Sequence, residues 1–294
     1  MTSEITGGVT VSQILKQAVA HLRSVGIAAP KLDAWLLFER SSGMEKSEII
    51  AHPERIVDGR DQQVFLSLVA RRAAREPVSR ILGIREFYSR DFEICEATLD
   101  PRPDTETLID QALALTINSG SDALRICDFG TGSGILLVTL LAEWPGCLGF
   151  GVDIDENAVR TARLNACRHG VAERAQFCVA DWDAALDGYF DVIVSNPPYI
   201  VREQIAHLAP EVREYDPLHA LDGGQDGLDA HRAIISAAAR LLRRGDGVLI
   251  FEIGSDQVSD VMALLGTHDL QVNGNAGIRR DLSGRIRVIT ACKV

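Results

Sequence analysis

The segment Asn196-Pro197-Pro198-Tyr199 directly follows the apolar run DVIVS. Neither proline has an N–H to give to a ladder, so a strand must stop here. The stop leaves a set of free acceptors and an aromatic ring. The side-chain oxygen of Asn196 can accept one N–H of a planar NH₂ group, and the carbonyl of Pro197 can accept the other. Pro197 and Pro198 hold both acceptors still, and Tyr199 can pack against the planar group. An amide or arylamine nitrogen is a poor nucleophile because its lone pair is delocalised. Aiming it and easing its charge build-up is the help it needs. The plainer reading of the same residues is a strand terminator with no chemistry.

A second cluster lies upstream. RICDFGTGSGILLV places Gly130, Gly132 and Gly134, with Thr131 among them, between a buried strand and a helix. Glycine there permits a tight turn and close approach of a ligand to the backbone. Asp153, 19 residues after Gly134, ends the next strand and can accept both ribose hydroxyls of an adenosine. An acid two residues before the first glycine would sit badly beside a pyrophosphate, and Asp128 holds that position here. It suits a nucleotide with no phosphate and a cationic centre. S-adenosylmethionine, with its sulfonium and α-ammonium groups, fits by charge. No lysine follows the loop as it would in a P-loop, so ATP is not expected. After the third strand, Asp181 can accept the exocyclic N–H of adenine. Trp182 can lie against the adenine ring or simply fill the core.

These residues need a scaffold that brings strand ends together. From about residue 122 the pattern alternates between strands, near 124–129, 148–153, 175–179, 190–195 and 247–252, and helices, near 133–143, 156–169 and 229–243. That alternation predicts an α/β fold with a parallel sheet covered on both faces. Every candidate residue then falls at the C-terminal ends of the strands, where open α/β sheets bind ligands. DLQVNGN and GRIRVITACKV read as two further strands, paired antiparallel at a sheet edge. Residues 1–76 read as a small bundle of amphipathic helices, in VSQILKQAVAHLRSVG, APKLDAWLLFERSSG and DGRDQQVFLSLVARRAAREP. Residues 77–103 read as a β-hairpin linker, and 104–294 as the catalytic domain, opening on a helix with Asp104 as its cap.

Composition narrows the classes. The chain has 294 residues, 30 basic and 41 acidic, for a net charge of −11. That disfavours a broad nucleic-acid surface, although basic residues cluster at 70–90 and 278–287. Such clusters serve as solvated faces or as local binding sites. No apolar stretch is long enough to cross a bilayer, and the N-terminus has no secretory signal pattern, so the cytoplasm is expected. Six cysteines without a CxxC pair read as buried free thiols, and seven scattered histidines offer no metal site.

PRPDTETL, DFGTGSG, VDID, ADW, SNPPYI and ALDGGQDGL together resemble the HemK/PrmC family over essentially the whole chain. Its catalytic portion looks like the amino-methylating branch of the Class I methyltransferases, a Rossmann-like fold with a seven-stranded, mostly parallel sheet. The resemblance implies transfer of a methyl group from S-adenosylmethionine to the glutamine side-chain amide in the GGQ motif of peptide chain release factors. By that likeness Asn196 and Pro197 would bind the glutamine NH₂ with Tyr199 beside it. Gly130, Gly132, Asp153, Asp181 and Trp182 would belong to the cofactor site, and the helical domain would grip the release factor. Pro103, Asp104 and Glu106 would shape a wall of the site. The segment around Glu211, Arg213 and Asp216 reads either as a loop that orients substrate or as a rigid capped turn. Asp155 reads as the cap of the next helix. The NPPY residues alone are shared with adenine-N6 methyltransferases of DNA and RNA, the second enzymatic reading. A non-catalytic adenosine-binding scaffold is the third, and it would have no reason to keep an acceptor clamp.

Overall fold

The apolar residues of the first amphipathic run fall on one stripe: Val11, Ile14, Leu15, Ala18 and Leu22 are the buried residues of α1 (Val11–Ser24). Thr10 and Gln13 close a reciprocal capping box at its start. α2 (Pro30–Ser42) begins on its proline and stops before Gly43, and α4 (Gly59–Ala73) is capped by Asp58, with the short α3 (Lys46–Ala51) between them. These helices and α5 (Val78–Leu82) share one core, centred on Leu22, Leu37, Phe38 and Phe65. The Phe38 and Phe65 rings meet edge to face at 5.3 Å. Arg72 of α4 donates to Asp33 of α2 at 2.7 Å inside this unit, so the buried charges are paired.

The chain is described here by a computed structural model covering residues 8–116, 123–272, 274–281 and 283–293, and it divides into two units after Gly83. Residues 1–7, 117–122, Asn273, Leu282 and Val294, which parts of the sequence reading touch, lie outside the described residues. The helical unit thus takes in α5, which the sequence reading had grouped with the hairpin.

The second unit opens with the hairpin of β1 (Ile84–Phe87) and β2 (Arg90–Glu93), whose inner face carries the buried Phe87 and Phe92. α6 (Glu106–Thr116) follows a 3₁₀ turn at Pro103–Thr105. Asp104 lies within that turn and faces Arg287 at 3.5 Å instead of capping the helix. Then come β3 (Arg125–Phe129), α7 (Ile135–Glu143), β4 (Leu148–Asp153), α8 (Glu156–Arg168), β5 (Ala175–Val179), β6 (Val192–Ser195), α9 (Pro210–Arg213), α10 (Asp229–Leu241), β7 (Val248–Glu252), α11 (Val258–Gly266), β8 (Leu270–Val272), β9 (Ile278–Arg280) and β10 (Ile286–Lys293).

The main sheet runs β5-β4-β3-β6-β7-β10-β8. β3 to β7 are mutually parallel, and β10 is antiparallel to both β7 and β8. The expected antiparallel pair is therefore present, with β10 inserted between β7 and the edge strand β8. β9, which the sequence reading did not anticipate, pairs with the first half of β10 and makes the sheet eight-stranded. Strand side chains alternate between two cores, as a period of two requires. Ile126, Val192, Val194, Ile250 and Val288 pack with α6, α7 and α8, whereas Cys127, Phe129, Ile193, Leu249, Phe251 and Ile289 pack with α10 and α11. Asn165 of α8 accepts from the Glu93 N–H at 2.8 Å and donates to the Glu93 and Ser133 carbonyls, which ties the hairpin to this layer.

Candidate active site

Because β4 lies on one side of β3 and β6 on the other, the chain reverses direction of travel across the sheet between β3 and β6. The crevice at such a switch point is where open α/β sheets place ligands. A cavity of about 660 Å³ opens there. Its wall is built from strand ends: Gly130 and Gly132 after β3, Asp153 and Ile154 from β4, Asp181 and Trp182 after β5, Asn196 and Pro198 after β6. A smaller recess shares Leu99, Gly130, Gly132 and Asn196 with it, so Asn196 stands where the two meet.

The glycine loop is shaped by Asp153. Its Oδ2 accepts the Gly132 N–H at 2.8 Å and its Oδ1 accepts the Asp155 N–H at 3.0 Å. A carboxylate has about four acceptor positions, so both oxygens retain capacity toward the cavity. Burial pushes this carboxyl up, and its two backbone donors oppose that shift. Asp155 in turn accepts from Asn157 and Ala158 as the cap of α8. Gly132 has φ +55°, a conformation that strains any side chain.

The remaining loop residues serve the scaffold. A Cβ on Gly134 would stand 3.0 Å from that of Ala162, so this glycine lets α7 approach α8, and it does not line the cavity. Thr131 lines only the smaller recess, and its hydroxyl donates to Asp128 Oδ2 at 2.7 Å. Asp128 itself is fully buried behind the loop. It lines neither the cavity nor the smaller recess. Burial raises its carboxyl to about 7, only partly opposed by the Thr131 hydroxyl.

That shift has a testable sign. The folded protein keeps the Asp128 proton above about pH 4, where an unfolded aspartate has lost it, so this residue's contribution to stability falls as pH rises to about 7. Asp128→Asn removes the titration. In urea unfolding, the stability of the variant relative to the parent should improve across that range by at most about 4 kcal/mol and then level off. A difference that does not change with pH would mean that Asp128 does not titrate there.

Trp182 packs against the core beneath α10 and also lines the cavity, and a Cβ on Gly130 would sit 4.0 Å from its ring. Its backbone is left-handed, φ +47°, in a bulky residue that rarely adopts this state. Asp181 is exposed at the cavity rim.

At the end of β6 the Ser195 hydroxyl donates to the Phe129 carbonyl at 2.7 Å and locks β6 to β3. Asn196 Nδ2 then donates to the Thr105 hydroxyl oxygen at 3.1 Å. Thr105 donates to Glu252 Oε2 at 2.8 Å, and the Tyr199 hydroxyl donates to Glu252 Oε1 at 3.1 Å. Glu252 ends β7 fully buried. Burial pushes its carboxyl up, while Thr105, Arg287 and Tyr199 pull it down. Burial also raises the Tyr199 phenol, so it stays a donor. Tyr199 is thus directed into the protein and does not line the cavity. Pro197 is likewise buried, and among the described residues its carbonyl takes no hydrogen bond.

The GGQDG loop supports this segment from behind. Gln257 donates to the Tyr199 and Gly227 carbonyls, each at 3.0 Å, and a Cβ on Gly227 would stand 2.7 Å from the Tyr199 oxygen. Asp216 is buried and accepts from Arg102 at 2.5 Å and from the Asp100 N–H at 3.2 Å, which makes it an anchor of its loop. Arg213 bonds the Ala206 carbonyl and Glu214, and Glu211 lies in α9; neither lines the cavity. The cavity is instead approached by Leu218, His219 and Asp222, and by Leu99. Glu106 accepts the Tyr88 N–H at 2.9 Å, a structural role. Thr105 and Glu252 are the residues that sequence reasoning missed. Glu252 carried a readable signal, since it ends a buried strand as Asp153 does.

The PrmC N-terminal domain family matches residues 13–83, and the methyltransferase small domain family matches residues 105–211. The release factor glutamine methyltransferase of Rhodospirillum rubrum is 44% identical over 283 residues, covering 96% of this chain and 84% of that protein. The chain belongs to the release factor glutamine methyltransferase family. The family member from Bradyrhizobium diazoefficiens is 42% identical over 288 residues, 98% of this chain and 96% of its own length. Among solved structures, the hMettl16 catalytic domain, crystallised with an RNA hairpin, aligns over 77% of this chain and 82% of its own, with a TM-score of 0.55 and 14% identity. That likeness shows the methyltransferase fold alone.

This family member is an S-adenosylmethionine-dependent methyltransferase. The cavity suits that cofactor in three respects: glycines that admit a close ligand, the free acceptor capacity of Asp153, and the Trp182 ring opposite the loop. Asp128 adds a buried acid that gains from a nearby cation. Among the described residues no helix is long and apolar enough to cross a membrane.

Proposed function

We propose that this chain methylates the side-chain amide nitrogen of the glutamine in the GGQ motif of peptide chain release factors, in the cytoplasm. The observation that carries the reading is the Asn196 side chain, held through Nδ2 by Thr105 at the junction of the two cavities, with its oxygen left for an incoming N–H. S-adenosylmethionine supplies, when bound, an electrophilic methyl group on a sulfonium. Asp153 holds its ribose hydroxyls, and Asp181 and Trp182 hold its adenine.

On the acceptor side, Asn196 Oδ1 takes one N–H of the glutamine amide and the Pro197 carbonyl takes the other. As the amide nitrogen takes the methyl group, the methyl–sulfur bond would break with its electron pair left on sulfur as a thioether, and the nitrogen would carry positive charge until it gives a proton to solvent. Its N–H groups become stronger donors as that charge develops, so both hydrogen bonds strengthen most in the transition state. Pro198 closes the wall beside the amide, and Tyr199, anchored on Glu252, keeps the segment rigid. The helical unit is assigned to the body of the release factor on the strength of the family likeness.

The reading is tested with labelled S-adenosylmethionine and a purified release factor, beside a form whose GGQ is changed to GGA. Label on the first alone is expected. Equal labelling of both forms, or of neither, would sink the glutamine assignment.

A further inference from the structure

A primary amide presents an oxygen that accepts and a nitrogen that donates, and the two ends have nearly the same shape. An Asn196 turned the other way would offer N–H groups to the acceptor amide and repel the NH₂ it must hold. Something in the wall must fix the orientation. The contacts behind Asn196 do so through a chain of single protons.

Glu252 is 2% exposed, and each of its oxygens receives a hydroxyl: Thr105 on Oε2 at 2.8 Å, Tyr199 on Oε1 at 3.1 Å. A hydroxyl has one proton. With its proton engaged by Glu252, Thr105 can only accept from its other neighbour, which is Asn196 Nδ2 at 3.1 Å. The amide oxygen is thereby turned from the wall. Arg287 lies beside this cluster, 3.5 Å from the Tyr199 hydroxyl oxygen, with ion pairs to Asp104 and Asp281, and His231 Nε2 is 3.2 Å from the Glu252 carbonyl. The cation favours an ionised Glu252, the form that accepts from both hydroxyls.

We propose that Thr105 and Glu252 are positioning residues that set the polarity of the Asn196 amide, and so select an acceptor that donates N–H. This rests on the function proposed above. It gives the PRPDTETL segment a chemical role, carried by Thr105 and not by Pro103, Asp104 or Glu106.

The test compares Thr105→Ser, which keeps the hydroxyl, with Thr105→Val, which keeps the shape without it. Turnover of a release factor should fall about 100-fold in the valine variant and stay within about 3-fold in the serine variant. Affinity for S-adenosylhomocysteine should stay within about 2-fold in both. Thr105→Ala replaces the valine variant if the latter loses its thermal transition. A serine variant as impaired as the valine one, or a valine variant with near-parental turnover, would overturn the proposal. A second readout does not depend on activity. In protein carrying ¹⁵N-asparagine, with signals assigned by Asn196→Asp, one Asn196 side-chain N–H should exchange slowly in the parent and rapidly without the Thr105 hydroxyl. An exchange rate unaffected by Thr105→Val would overturn the proposed polarity even if the release factor proves not to be the substrate. A parent that leaves the release factor unlabelled yet shows this protection would overturn the substrate reading alone.

Discussion

Asn196→Ala is expected to lower turnover by about 100- to 1,000-fold at saturating S-adenosylmethionine while changing cofactor affinity by no more than about 3-fold. The asymmetry follows from where the side chain points. Its nitrogen is engaged by Thr105, which leaves its oxygen for the proposed acceptor amide. The residues proposed to hold the cofactor lie elsewhere on the same wall, at Gly132, Asp153 and Trp182. Asn196→Asp sharpens the test. It keeps an acceptor toward the amide but replaces the Nδ2 donor with a second acceptor facing Thr105, so the pair loses its hydrogen bond. That variant should also be slow, with cofactor affinity preserved. Calorimetric titration with S-adenosylhomocysteine beside single-turnover methylation separates the two quantities. Equal losses in affinity and turnover would contradict the role assigned to Asn196.

Asp153→Asn is expected to act on the opposite side of the site and weaken cofactor binding about 100-fold. Both carboxylate oxygens already accept backbone N–H groups, from Gly132 and Asp155. An asparagine has a single oxygen, so one of those donors would face an NH₂ group and the glycine loop would lose its tether. The remaining acceptor capacity for ribose hydroxyls would fall with it. The raised carboxyl sets the pH trend. Below its shifted value Asp153 is protonated and accepts less well, so cofactor affinity in the parent should decline on acidification and the asparagine variant should lack that decline. Titrations of both proteins across the acid range read this directly. A variant with parental affinity would show that Asp153 shapes the loop without binding ligand.

Asp153 and Asn196 are plain in the sequence, and the reason is local. Asp153 and Asn196 each end an apolar run of strand length, so their position at the sheet edge follows from period and punctuation alone. The same applies to the five parallel strands and their helices. α3 and β9 were not anticipated, since each is short, and α11 was not read from the sequence either. Side-chain direction was the larger gap. Tyr199 stands within three residues of Asn196, yet its hydroxyl turns inward to Glu252, a partner 53 residues away. Thr105 meets Glu252 across 147 residues and Asn196 across 91. No spacing rule reaches such pairs, because they exist only once α6 is set beside β7. Gly134 likewise looked like part of a ligand loop until Ala162 of α8 was found against it.

The proposed acceptor is a glutamine side-chain amide on a release factor. The most direct measurement is fragmentation mass spectrometry of a release factor incubated with this chain and S-adenosylmethionine, with an adenine-containing oligonucleotide in the same reaction. A single added methyl group, localised to the glutamine side chain of the GGQ motif, and an unmodified oligonucleotide are expected. Methyl groups on adenine, or on release factor residues outside that glutamine, would contradict that assignment.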